Sequence, residues 1–82
     1  MSTLDLLLEE ALHSKGSLHQ QAINTLRRYM RLSTELELER KINQLTKLAH
    51  LRILQEAGLK GNLYKVAISR MNMLIKEQSG GE

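Results

Sequence analysis

The stretch Leu48-Ala49-His50-Leu51-Arg52-Ile53-Leu54-Gln55-Glu56-Ala57-Gly58-Leu59-Lys60-Gly61-Asn62 decides how this chain folds. From Leu48 to Leu54 apolar side chains fall on nearly every side of a helix, which predicts contact with more than one neighbour and places the segment at the centre of the fold. Gly58 marks its end. A glycine just past a helix accepts the left-handed conformation that other residues resist, and Leu59 then falls where a Schellman turn sets an apolar residue against Leu54. Beyond Asn62, Leu63, Ala67, Met71 and Leu74 recur on one face, widened by Tyr64, Ile68 and Ile75, so a further helix is expected to about Gln78. These two helices read as an antiparallel hairpin on a short glycine-bearing loop. Ser79-Gly80-Gly81-Glu82 reads as a disordered tail.

Working backwards, Leu38, Ile42, Leu45 and Ala49 alternate spacings of four and three, a coiled-coil-like seam that predicts one helix from Thr34 through Ala57. Thr34-Glu35-Leu36-Glu37 has the form of a capping box at its start. No glycine or proline enforces a break at residues 33–34, so one bent helix over residues 17–57 is the alternative to two; the box favours two. A preceding helix is expected from the box Ser17-Leu18-His19-Gln20 to about Leu32, with Ala22, Ile23, Leu26, Tyr29 and Met30 facing one way. A short first helix, capped by Ser2 with Asp5 three residues on, carries Leu4, Leu7, Leu8, Ala11 and Leu12 and should stop near Gly16. The expected fold is all-α: one domain over residues 1–82, a small bundle of three or four helices with a C-terminal antiparallel helical hairpin.

Leucine fills 17 of 82 positions, while proline, cysteine, tryptophan and phenylalanine are absent. A chain this short has little interior in which to hide so much leucine, and the surplus points to a partner. Without cysteine there is neither a disulfide framework nor a thiolate, which fits a reducing cytoplasm as the expected location. The first ten residues lack a basic region and a small-residue cleavage site, and no apolar run approaches the length of a membrane span. The net charge of +3 permits acidic partners without demanding them.

The vocabulary for chemistry is thin. One Asp and three His, none of the three at i, i+4 spacing from another, give no acid–base constellation, so no catalytic, cofactor or metal site is expected. His13 and His19 read as surface residues and His50 as a packed or interfacial one. Two binding readings remain. Residues 51–71 set two helices across a glycine turn, with Lys65, Arg70 and Lys76 on the second. Arg27, Arg28 and Arg31 are then candidate phosphate contacts, giving a small dimeric nucleic-acid-binding regulator as the alternative function. Those arginines also suit the negative end of any helix dipole. Better supported is a protein partner, or a second copy of the chain, held on apolar helix faces. Met30, Met71 and Met73 supply soft, adaptable side chains. Leu6, Leu36, Leu51 and Leu59 lie off the main stripes and are expected to leave exposed surface for such a contact.

The segments Leu8-Glu9-Glu10-Ala11-Leu12-His13, Gln20-Gln21-Ala22 and Leu26-Arg27-Arg28-Tyr29-Met30-Arg31 resemble the small helical co-chaperones of type III secretion needle subunits. That resemblance implies a helical hairpin without a catalytic site. It also implies a role alongside a tetratricopeptide chaperone, holding a needle subunit's amphipathic helix and keeping it from polymerising in the cytoplasm.

Overall fold

Helices form where local capping and tertiary packing agree, and they break where packing alone demands it. The computed structural model describes residues 2–79, in which five helices run in order: α1 (Thr3–His13), α2 (Gly16–Leu32), α3 (Glu35–Gln44), α4 (Leu48–Ala57) and α5 (Gly61–Ser79). The fold is all-α as expected, with one helix more than the three or four that periodicity suggested. Ser79 closes α5 instead of opening the tail, and Gly80–Glu82 lie outside the described residues.

Two of the three expected capping boxes are present. Ser2 Oγ accepts the Asp5 amide at 3.2 Å and Asp5 answers by accepting the Ser2 amide; Thr34 and Glu37 repeat the pattern, with Thr34 Oγ taking the Glu37 amide at 3.1 Å. The chain therefore divides at Ser33-Thr34 into two helices. The third box does not form: α2 starts at Gly16 with Lys15 as a cap that makes no side-chain bond, while Gln20 bonds Asn24 at 3.2 Å. Gly16 is left-handed (φ +60°) but opens α2, and α1 ends two residues earlier at the extended Ser14, whose hydroxyl returns to the Glu10 carbonyl at 2.5 Å. Gly58 is left-handed as expected (φ 100°, ψ 51°), and Leu54 and Leu59 join one buried cluster.

The extra helix comes from a break after Gln44, where no glycine or proline stands. Leu45 leaves the helix in an extended conformation (φ −68°, ψ 138°) yet stays buried, and α4 sets off along a new line. A straight continuation would have held Ala49 in the seam of α3. The turn instead lets α4 bury His50, Leu51, Ile53, Leu54 and Ala57, with α1, α2 and α5 packed around it. The Leu45 carbonyl freed by the break accepts Arg70 Nε of α5 at 2.8 Å, so its polar cost is met.

α1 packs on α2 and α4, and α3 packs on α5. Leu4, Leu8, Leu26, Ile42, Leu51 and Leu54 are the largest fully buried side chains, each contributing about 1.5–3 kcal/mol on burial. Leu51 and Leu59 are thus core residues, which corrects the expectation that their off-stripe positions leave them exposed. Off-stripe is a statement about one helix and one neighbour. α4 has three neighbours, and the face that carries Leu51 is as buried as the rest.

Candidate functional site

The residues expected to meet a partner divide into three groups. Leu6, Leu36 and Met73 are exposed by half or more, Met30 and Met71 are half-buried against the core, and Leu51 and Leu59 lie inside it. Leu12, Leu18 and Leu32 also stand out in solvent. Leu32 is the most exposed of these at 82 %, at the last position of α2, where nothing in the helical stripe required it to turn outward.

Two apolar surfaces result. On α5 the core is met by Leu63, Val66, Ala67, Met71 and Leu74, while Tyr64, Ile68, Met71 and Ile75 form a second stripe at spacings of four, three and four whose end residues, Tyr64 and Ile75, are each 46 % exposed. Lys65 and Lys76 border it on the outer side. The other surface is concave. A cleft of about 510 Å³ opens between the end of α2, the start of α3 and the α4–α5 connection, floored by Met30, Leu38, Leu59 and Leu63. Arg27, Arg31, Ala57, Gly58 and Lys60 complete its wall, and among the described residues no carboxylate lines it.

Of the arginines read as candidate phosphate contacts, Arg27 and Arg31 therefore line the cleft and Arg28 does not. Arg27 is also committed within the fold, since its Nε donates to the Ala57 carbonyl at 2.9 Å and closes the C-terminus of α4. Arg70 is spent in the same way on Leu45, which leaves Lys65 and Lys76 as the outward cations of α5.

Of the three histidines, only His19 departs from its expected place. His50 is buried and its Nε2 bonds the Glu9 carboxylate, which also meets His13 Nε2 at 3.3 Å and Lys47 Nζ at 3.6 Å. The hydrogen bond from His50, with help from the Lys47 charge, holds the Glu9 carboxyl below its ordinary value of 4.5. His19, expected on the surface, is half-buried: Nε2 lies 2.6 Å from a Glu56 carboxylate oxygen and Nδ1 lies 2.7 Å from the Ala11 carbonyl. Both partners are acceptors, and a neutral imidazole has one N–H, so only the imidazolium satisfies both. The Glu56 bond first, then the Ala11 carbonyl, raise the His19 pKa above 6.5. His13 remains exposed, as expected. Sequence spacing hid the His19 and His50 bridges because their partners lie 37 and 41 residues away.

Among the described residues, the side-chain bonds and ion pairs of Glu9, His13 and His50 run among themselves and to Lys47. Among the described residues no group of three His, Cys, Asp or Glu is arranged to hold a metal ion. Nor is any described helix long and apolar enough to cross a membrane. No family model matches the chain, and neither does any curated protein or solved structure.

The two carboxylate–histidine bridges set opposite ends of a pH profile. A raised His19 pKa contributes stability that is complete below 6.5 and lost as pH rises through the folded-state value. The lowered Glu9 pKa contributes stability that is present above 4.5 and lost as pH falls through its folded-state value. Thermal unfolding midpoints are therefore expected to be highest between pH 4.5 and 6.5 and to decline on both sides. His19→Gln should flatten the alkaline decline and leave the acid limb in place. A midpoint that climbs steadily from neutral to alkaline pH in the unsubstituted chain would contradict the His19 geometry.

Proposed function

We propose that this chain is a non-enzymatic helical chaperone or adaptor that shelters an apolar helix of a partner protein. The second apolar stripe of α5 carries the reading: Tyr64, Ile68 and Met71, continued by Ile75, lie beside the stripe that builds the core and remain open to solvent by up to about half. An amphipathic helix laid along α5 meets apolar side chains at the spacing of a helix-to-helix seam. Half-buried Met71 adds a side chain that adapts its shape to the occupant. In this reading α4 and α5 act as an antiparallel hairpin across residues 58–60, with α4 anchored in the core and α5 presenting its outer stripe.

The resemblance in residues 4–31 guides the choice of partner, toward a needle-type secretion subunit held jointly with a tetratricopeptide chaperone in the cytoplasm. The nucleic-acid alternative rests on Lys65, Lys76, Arg28 and Arg31, while Arg27 and Arg70 each give their Nε–H to a carbonyl at a helix end.

Co-purification from the native host tests the reading, with the tagged chain compared against a Tyr64→Glu, Ile75→Glu double variant. Both residues are 46 % exposed, so the variant should keep its circular dichroism and unfolding midpoint while losing a specific partner that the unsubstituted chain retains. If the unsubstituted protein is a monomer at every concentration by light scattering, binds no hydrophobic dye and retains no partner, the adaptor reading fails.

A further inference from the structure

We propose that the cleft between α2 and the α4–α5 connection is a ligand site of its own, taking an aliphatic chain with an anionic head group. The charge argument comes first. Arg27, Arg31 and Lys60 line one concavity, and among the described residues its lining has no acidic residue and none of the three forms an ion pair with a carboxylate. Three cations around an apolar floor favour a negative head at the rim, where guanidinium groups offer paired N–H donors. Arg27 reaches that position already anchored, its Nε held by the Ala57 carbonyl at 2.9 Å, so its terminal nitrogens are offered at little further loss of side-chain freedom.

The floor selects the tail. Met30, Leu38, Leu59 and Leu63 present flexible aliphatic groups, and no aromatic ring lines the cleft to stack on a base or a planar ligand. The 510 Å³ of the cleft lies inside the range in which small-ligand sites fall. The site is distinct from the α5 stripe and does not depend on the adaptor reading.

Titration of the full chain with dodecanoate and with dodecyl phosphate, each below its micellar concentration, tests the site by calorimetry and by the methyl resonances of Met30, Leu38, Leu59 and Leu63. The expected result is one equivalent bound per chain with shifts centred on those four methyl groups; the tighter of the two ligands identifies a carboxylate or a phosphate head. An Arg31→Glu, Lys60→Glu variant should bind at least tenfold more weakly with its helical spectrum unchanged. A Lys65→Glu variant, altered outside the cleft, should bind as the unsubstituted chain does. Equal binding of dodecanol or dodecyltrimethylammonium, several equivalents per chain, or indifference to the double charge reversal would overturn the proposal. So would a leucine–glutamate peptide that shifts the same methyl groups when neither amphiphile does, because the cleft would then belong to a protein partner.

Discussion

Leu51→Asp is expected to leave the chain unfolded at room temperature, whereas Leu36→Asp should change its stability by no more than about 0.5 kcal/mol. Sequence reasoning placed the two leucines in one class, as off-stripe residues available to a partner. They differ in surroundings: Leu51 is 0 % exposed on α4 and Leu36 is 57 % exposed on α3. A carboxylate at position 51 would enter a site with no cation placed to receive it, and an unpaired buried charge costs several kcal/mol even after relaxation. That is comparable to the whole stability of a domain this small, about 5–10 kcal/mol. Far-ultraviolet circular dichroism and a urea titration of both variants decide the matter. A folded Leu51→Asp with an unchanged midpoint would mean that α4 is not the centre of the fold.

Leu54→Ala is expected to cost about 3–4 kcal/mol and to lower the unfolding midpoint by about 12–32 °C, from the cost of a large-to-small change in a core and the entropy of unfolding a domain of this size. Leu54 is fully buried, one turn before the left-handed Gly58 and in the same cluster as Leu59. Truncation there opens a void where α4 meets its neighbours, and helices held from several sides have little room to close it. Differential scanning calorimetry gives the number. A loss below about 1 kcal/mol would show that the helices relax freely around the gap, as a loosely packed bundle would.

The helical character of the chain and the ends of several helices were legible in the residues themselves. Capping works within three or four positions, so Ser2 with Asp5 and Thr34 with Glu37 could be found by spacing, and each makes the reciprocal bonds expected of it. Gly58 could be found for the same reason. The all-round apolar character of Leu48–Leu54 announced a central helix because residues with no polar side to turn outward need neighbours on every side. The candidate site was half legible. Leu6, Leu36 and Met73 are exposed as expected, and Arg27 and Arg31 fall in one cleft, but the cleft itself joins segments about thirty residues apart that no local pattern connects.

What the residues alone could not reveal shares one physical cause. Arg27 closes α4 from α2 across 30 residues, Arg70 closes α3 from α5 across 25, and His19 joins the Ala11 carbonyl of α1 to Glu56 of α4 across 37. In each case a cationic side chain of one helix meets a carbonyl at or near the end of another, an interaction set by where the helices lie and not by what precedes or follows the residue. The same holds for the break after Gln44: local spacing favoured one helix from Thr34 to Ala57, and the chain turns because burying α4 against three partners outweighs one interrupted ladder whose open carbonyl Arg70 satisfies. Local chemistry settled which segments are helical and how two of them start. Packing settled their number, the break after Gln44 and which leucines face outward, because burial is a property of pairs of helices and is undefined for one alone.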